Sequence, residues 1–463
     1  MTNPGEGDTI PYRLKTGESG MDLLAAFGVF LACVAGCMVK GLSLAWALLA
    51  GFVCFFMVGV RRGTAAPALM KMAASGMATS LKVLRILLLL GLLTALWRAG
   101  GTVACFVWLG VRMITPGTFV LVAFLLSSLF SLAFGSCFGV VGTAGVILMT
   151  IARSGGANLA VTAGAIMSGI YFGERLSPAS SSAALVSAVA GVDQRDFQMR
   201  MWRTTPVPFL ATLALYGALS IRFPIQQVDA GVVSALEEGF SLTWPVILPA
   251  AALLILPWLK LSAMASIAVS CVLAAGCALF VQKVPAGELL RACVLGYRPD
   301  LPELRELMSG GGLISMVSVC LIVVLSCAYS GMFNGTGLLA PVTDKVGRLA
   351  DRFGLFSAHV AASFGCCALF CNQTVGIVMN GQLLEGEYRR RGLSAMDLAE
   401  NIGNSVVNLA GLVPWAIAAT VPTTTMEVSA AILPLAFYLY LLPLWCWLRS
   451  LRQERTAERF SKK

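Results

Sequence analysis

The sequence predicts an all-α integral membrane protein, and three observations carry that reading. Apolar runs of spanning length recur from the first third of the chain to the last, charge falls between them, and no stretch alternates with the period of a strand. Of the 463 residues, 58% are hydrophobic and 12% charged, whereas an ordinary globular domain carries about 25% charged residues. One crossing takes about 20 residues, so roughly ten to twelve crossings fit.

The ends and the charge follow from that solvent. Met1 to Gly20 is polar and mixed in sign, without the apolar core and cleavage site of a secretory signal, so the first crossing is expected to be retained. Thirty-three Lys and Arg against 23 Asp and Glu give +10, with the excess in loops and in the tail. That distribution reads as topology rather than nucleic-acid binding. Arg61, Arg62, Lys71, Lys82 and Arg85 are expected in a loop between the second and third apolar segments, and Arg449, Arg452, Arg455, Arg459, Lys462 and Lys463 in the tail. The positive-inside rule puts both, and hence both termini, on the cytoplasmic side of a cell membrane. Of fourteen cysteines, most (among them Cys33, Cys37, Cys54, Cys105, Cys271 and Cys320) lie inside apolar runs, where a thiol acts as a small hydrophobe rather than a disulfide or metal ligand.

In order, helices are expected near Met21 to Val39, Leu42 to Val60, Val83 to Trp97, Val103 to Ile114, Phe119 to Phe134, Val140 to Ala152 and Leu159 to Tyr171. Asp193 to Arg203 is too charged to span and reads as an amphipathic connector. The pattern restarts with Pro206 to Arg222, Trp244 to Leu259, Ala263 to Val281, Leu313 to Ser330, Ala358 to Phe370, Val406 to Thr420 and Ala430 to Leu448. The expected organisation is a tail over 1–20, a polytopic domain over 21–448 (half one about 21–192, connector about 193–205, half two about 206–448) and a basic tail over 449–463.

Two apolar regions are interrupted by Gly, Ser, Asn and Pro in corresponding places. The first has Phe134-Gly135-Ser136-Cys137 and then Glu174 to Ser182; the second has Phe364-Gly365-Cys366-Cys367 and then Glu400 to Asn408. The similar spacing suggests a duplicated unit. Paired breaks point to a transport site, because unwound backbone within a membrane is tolerated only where protein or a cavity surrounds it. Glu174 and Arg175 precede Pro178, which cannot continue a helix, and an ion pair at a break is the expected geometry. Interfacial snorkelling of the two is the alternative. Ser177, Ser180, Ser181 and Ser182 offer hydroxyl oxygens suited to a small hard cation, or a packing surface of small residues. Asn404, Ser405 and Asn408 mirror them, and Asn372-Gln373-Thr374 adds a third cluster whose side chains serve either an ion or a neighbouring backbone. Close helix packing explains Gly135, Gly139, Gly142 and Gly145. His359, the single histidine, is expected at a helix end beside Arg348, Asp351 and Arg352, with a proton-shuttle role as the alternative. No nucleophile paired with a base, phosphate loop or zinc spacing occurs, so no enzyme, cofactor or structural metal is expected.

Ile86 to Val192 resembles the NhaC family of sodium/proton antiporters. The resemblance rests on Gly101-Thr102-Val103, Ser131-Leu132-Ala133-Phe134-Gly135-Ser136, Gly142 to Val146, and Ala163 through Gly173-Glu174-Arg175-Leu176-Ser177-Pro178, with a weaker match from Gly311-Gly312 to Leu412-Val413-Pro414-Trp415. It implies two inverted halves with re-entrant or broken helices, sodium-linked exchange by alternating access, and the coupling proton on Glu174. The chain departs from the family where Ser-Pro is normally followed by Ser-Asp-Thr-Thr-Asn: the Asp is gone. The second-half Glu-Asp-Ser-Gly-Thr appears as Gly403-Asn404-Ser405-Val406-Val407, and the Asn after Pro-Trp is Ala416. A carboxylate binds sodium and takes up a proton when the ion leaves, so these losses remove the simplest competition between the two ions. The expected partners are Na+, H+ and the bilayer. A small organic acid or amino acid held by Arg175 is the rival solute, a non-transporting scaffold is the minor alternative, and pairing into a homodimer stays open.

Overall fold

The computed structural model describes residues 21–461 apart from 41, 114, 179, 226–229, 257, 258, 260 and 337–339. The expected N-terminal tail, Ala179, Lys462 and Lys463 lie outside the described residues. Every regular element among the described residues is helical, and the only β-type pairing among them is an isolated bridge between Tyr297 and Gly310. The chain is therefore an all-α membrane protein, as the apolar periodicity requires.

The helices are α1 (Met21–Lys40), α2 (Leu44–Arg61), α3 (Ala66–Ala99), α4 (Thr102–Met113), α5 (Phe119–Phe134), α6 (Cys137–Val140), α7 (Val146–Ser154), α8 (Leu159–Leu176) and α9 (Ser181–Ala190). There follow α10 (Gln194–Thr204), α11 (Pro206–Arg222), α12 (Ala230–Gly239), α13 (Leu248–Ile255), α14 (Ala263–Gly276), α15 (Ala286–Leu295) and α16 (Pro302–Met308). The last are α17 (Val317–Thr336), α18 (Ala340–Phe353), α19 (Leu355–Phe370), α20 (Gln373–Arg390), α21 (Ala395–Asn404), α22 (Val406–Leu409), α23 (Ile417–Thr425) and α24 (Phe437–Ser461). The connector expected over Asp193 to Arg203 is α10, capped by the Asp193 carboxylate on the N–H groups of Arg195 and Asp196. The loop expected to carry Lys71, Lys82 and Arg85 is instead helical and part of α3, because Pro67 falls in the first turn, where its missing N–H is not needed, and the Ala, Met and Leu of the segment outweigh the single Gly76. Val406 to Thr420 is not one helix but α22, a 3₁₀ turn over Ala410–Leu412, and α23.

The chain forms two compact units. One comprises the described residues of 1–80 and 324–341. In it α1 lies along α2, Arg62 pairs with Asp22 at 2.5 Å, and Phe27, Phe30, Phe55, Tyr329 and Phe333 form an aromatic cluster. Gly76 and Gly331 meet backbone to backbone, so a Cβ on either would collide with the other helix. The other unit comprises 81–323 and 342–463 and contains both breaks. Its helices Cys137–Ser154 and Met264–Val281 are each long and apolar enough to cross a membrane. Gln194–Thr204 with Pro206–Arg222, and Ala395–Leu412 with Ile417–Thr425, are pairs bent by 52°.

This second unit holds a structural duplication at a constant offset of 236 residues (355 − 119 and 412 − 176). Helix α5, Phe119–Phe134, corresponds to α19, Leu355–Phe370. The segment Cys137–Ser154 corresponds to α20, Gln373–Arg390, and α8, Leu159–Leu176, to Ala395–Leu412. Three left-handed positions fall in register: Gly135 with Cys371, Gly156 with Gly392, and Gly191 with Glu427. Helix caps coincide as well. Asn158 accepts from the N–H of Val161, and its equivalent Ser394 accepts from that of Asp397. Phe134 therefore pairs with Phe370, not with Phe364, and Glu174 with Ala410. The Phe-Gly dipeptide misleads because the chain reverses at a left-handed residue, which is Gly135 in one copy and Cys371 in the other.

Candidate functional site

Helix α8 ends at Leu176 because Ser177 turns extended and Pro178 follows. Its last turn is buried, with Glu174 5% and Arg175 1% exposed. Two glycines explain how it sits so deep. A Cβ on Gly169 would lie 2.7 Å from the Phe124 carbonyl, one on Gly173 would strike the backbone of Ser131 and Leu132, and Ser131 Oγ donates to the Ile170 carbonyl. Helix α5 thus lies in van der Waals contact with α8 and presses its end against the break.

Glu174 Oε1 accepts from Ser182 Oγ at 2.6 Å. Cys137, through its thiol and backbone N–H, and the Gln373 side chain flank the same carboxyl. Oε2 makes no well-formed hydrogen bond among the described residues. Cys137 and Gln373 are the first residues of α6 and α20, so they occupy equivalent positions of the duplication. Both copies thus deliver a helix N-terminus toward one carboxyl, where the positive ends of helix dipoles favour negative charge.

Arg175 points elsewhere. Its Nη1 donates to Asn404 Oδ1 at 3.0 Å, and its Nη2 to the Met201 carbonyl at 2.8 Å, Thr205 Oγ1 at 2.5 Å and Thr204 Oγ1 at 3.3 Å. The ion pair expected between Glu174 and Arg175 is absent, since neighbours on a helix project about 100° apart and do not face each other. No carboxylate pairs with Arg175 among the described residues. Its guanidinium ties α8 to α10 and to the second break.

Of the hydroxyls expected to gather at the first break, Ser182 alone reaches Glu174. Ser180 caps α9 by accepting from the Ala183 N–H at 3.2 Å, Ser181 is exposed, and Ser177 is buried with its carbonyl accepting from Gln198 Nε2 at 3.1 Å. Asn372 Oδ1 caps α20 on the Thr374 N–H at 2.9 Å and Thr374 is exposed, so that amide serves the backbone. At the second break, Asn404 also accepts from Thr204, Ser405 Oγ donates to the Asn401 carbonyl at 2.6 Å, and Asn408 Nδ2 donates to Gly403 at 3.3 Å. Asn408 Oδ1 is buried without a hydrogen-bond partner among the described residues.

His359 does not sit at a helix end among charges. It is fully buried in α19 with Nδ1 3.1 Å from the Tyr388 hydroxyl, which accepts from Asn401 Nδ2 at 2.5 Å. The charges of Arg348, Asp351 and Arg352 lie on α18 before Gly354, whose left-handed turn separates them from α19. A cavity of about 380 Å³ reaches the second break; Asn401 and Asn404 line it together with Arg200, Asp397, Glu400 and Arg449. Arg200 bridges Glu400 at 2.5 Å and Asp397 at 2.8 Å across it.

Sequence reading placed Cys137 and Asn401 in the breaks without giving them a role, and missed Thr204 and Thr205 beside Arg175 and the buried Ser363 and Asn380. The available signal for Ser363 was a hydroxyl one turn from His359 in an otherwise apolar run, whereas α20 carries several other polar residues and offered none for Asn380.

A bundle of apolar helices, broken and unwound where buried polar side chains converge from two copies of one motif, defines an all-α membrane transporter. The chain belongs to the Na+/H+ antiporter family, whose model matches residues 21–223 and 196–447. It is 27% identical over 409 residues to the malate-2H(+)/Na(+)-lactate antiporter of Bacillus subtilis, spanning 85% of this chain and 86% of that protein. It is 26% identical to the Na(+)/H(+) antiporter NhaC of Alkalihalophilus pseudofirmus, spanning 80% and 81%. To the arginine/ornithine antiporter ArcD of Halobacterium salinarum it is 28% identical, spanning 71% and 70%.

Proposed function

We propose that this protein is a secondary active antiporter that exchanges sodium for protons by alternating access, with Glu174 carrying the coupling proton. The observation that carries the reading is the convergence on that carboxyl: Ser182 donates to it, and Cys137 and Gln373, equivalent residues of the two copies, flank it. A carboxyl reached from both copies can take or release a proton as the copies move against each other. The NhaC relatives support sodium as the other ion.

We read the two halves as inverted, the termini as cytoplasmic, and Ser182, Asn404, Ser405 and Asn408 as the polar lining. Ser177, Ser180, Asn372 and Thr374 serve the breaks through their caps and carbonyls rather than by contact with an ion. We assign no enzymatic activity.

The relatives named for malate, lactate, arginine and ornithine support an organic solute as the second reading. The bonding of Arg175 weighs against its holding a substrate carboxylate, because Asn404, Met201, Thr204 and Thr205 already take its Nη groups.

The test is lumenal pH in liposomes holding the purified protein while sodium, lithium or potassium is added outside. A cation-dependent pH change lost in Glu174→Gln is expected. Full exchange in that variant, with its pH dependence unchanged, would remove the role assigned to Glu174. Silence of the wild type toward all three cations, together with uptake of an organic acid or amino acid, would favour the second reading.

A further inference from the structure

Ser363, Asn380 and Ser405, buried polar side chains of the second copy, make no hydrogen bond to Glu174, and with their neighbours they gather more oxygen than hydrogen. Ser363 Oγ lies 2.7 Å from the His359 carbonyl, 3.1 Å from Asn380 Oδ1 and 2.9 Å from Ser405 Oγ. Ser405 Oγ lies 2.6 Å from the Asn401 carbonyl. Asn380 Nδ2 donates to the Gly376 carbonyl at 2.9 Å, which fixes the amide and aims its Oδ1 at Ser363. These four close approaches between oxygens share two hydroxyl hydrogens. Two of them therefore bring lone pairs together with no proton between, in a place where Ser363, Asn380 and Ser405 are each 0% exposed. The break sharpens the imbalance. The Ser405 N–H turns to the Ile402 carbonyl at 3.3 Å and gives up the Asn401 carbonyl, its ordinary helical acceptor.

The duplication shows that packing does not require this cluster. At the same offset of 236, Ser363, Asn380 and Ser405 correspond to Ser127, Ala144 and Gly169. The equivalent helices meet there too, since a Cβ on Gly169 would lie 2.6 Å from the Ser127 Cβ. The first copy thus makes the same crossing with a methyl group and a hydrogen where the second carries an amide and a hydroxyl. Polar groups in a membrane interior are costly and mark function.

We propose that Ser363 Oγ, Asn380 Oδ1, Ser405 Oγ and the Asn401 carbonyl, with the His359 carbonyl behind them, form a binding site for a monovalent alkali-metal cation. Hard, neutral oxygens are the ligands of such ions. With no carboxylate among them, the set balances one positive charge poorly and two not at all. The ion reaches the site from the 380 Å³ cavity, which Asn401 lines. The protein then holds its cation on the second copy and its proton on the first, at Glu174, so binding the ion displaces no proton from its ligands. The choice of sodium rests on the antiport reading above; the site itself does not.

Sodium chloride titrated into the purified full-length protein, with choline chloride holding ionic strength, tests this by calorimetry. Binding is expected in the wild type and in Glu174→Gln, weakened about ten-fold or more in Ser405→Ala and Ser363→Ala. Asn380→Asp adds the missing negative charge and is expected to tighten binding and make it stronger as pH rises, with a proton released per ion. That gain reads out even where an alanine variant fails to fold. The proposal is overturned if neither sodium, lithium nor potassium binds the folded wild type, if Glu174→Gln abolishes binding, or if the folded Ser405→Ala and Asn380→Asp variants bind like the wild type. Retained binding without coupled exchange would overturn the antiport reading alone. Normal sodium dependence of exchange in folded Ser405→Ala would overturn the site alone.

Discussion

Arg175 joins α8 to α10 and to the second break through one side chain. Burying a guanidinium to 1% exposure carries a large desolvation cost, which the hydrogen bonds of its two Nη groups to neutral oxygens offset, while its Nε has no partner among the described residues. Its planar fork reaches Asn404, Met201, Thr204 and Thr205 at once, and a lysine ammonium has neither the reach nor the geometry. Arg175→Lys is therefore expected to lower stability by roughly 3–5 kcal/mol, seen as a fall in the unfolding temperature of the detergent-solubilised protein. A melting temperature equal to the wild type would show that the four bonds hold nothing together.

Helices α5 and α8 decide how the break is held. Their crossing depends on Gly169 and Gly173, whereas the reversal after α5 depends on Gly135 at φ 65°. Gly135→Ala places a Cβ in the left-handed region and is expected to cost about 1–2 kcal/mol. Gly173→Ala drives a Cβ into the backbone of α5 and is expected to cost more, about 3 kcal/mol, because backbone cannot yield as a side chain can. Chemical unfolding of the two variants side by side checks the order. A larger loss in Gly135→Ala would mean that α5 and α8 have room between them. Cys371, at φ 54°, shows that the second copy tolerates a side chain at its reversal.

For the whole molecule, the furnishing of the two copies is unequal. Glu174 stands where the second copy has Ala410, and the amide and hydroxyl of Asn380 and Ser405 stand where the first has Ala144 and Gly169. Gln373 joins the two regions: its Nε2 donates to the Val407 carbonyl at 3.0 Å, two residues from Ser405, while its side chain flanks Glu174. A motion that shifts α22 is thereby felt at the carboxyl. Gln373→Ala is expected to keep both ion-binding events and lose their coupling, read in liposomes as sodium uptake without the matching pH change. Unaltered stoichiometry in that variant would remove Gln373 as the link.

Composition by itself determined that this chain lives in a membrane and is helical, because the solvent of each segment is a property of its own residues and a lone backbone in lipid must bond to itself. Breaks near Glu174 and Asn404 were legible for the same reason: Pro178 and the run Gly403-Asn404-Ser405 interrupt an apolar pattern locally. The connector after Asp193 was legible from its charge. What only the tertiary structure decided is which polar groups meet. Glu174 and Arg175 are adjacent in sequence yet serve different clusters, since a helix turns them apart. Ser363, Asn380 and Ser405 carry no shared motif, and they touch because the α19–α20 hairpin and the unwound end of α21 fold onto one another across 17 and 42 residues of chain. The register of the duplication was hidden likewise, because it is written in backbone conformation at Gly135 and Cys371 rather than in matching side chains.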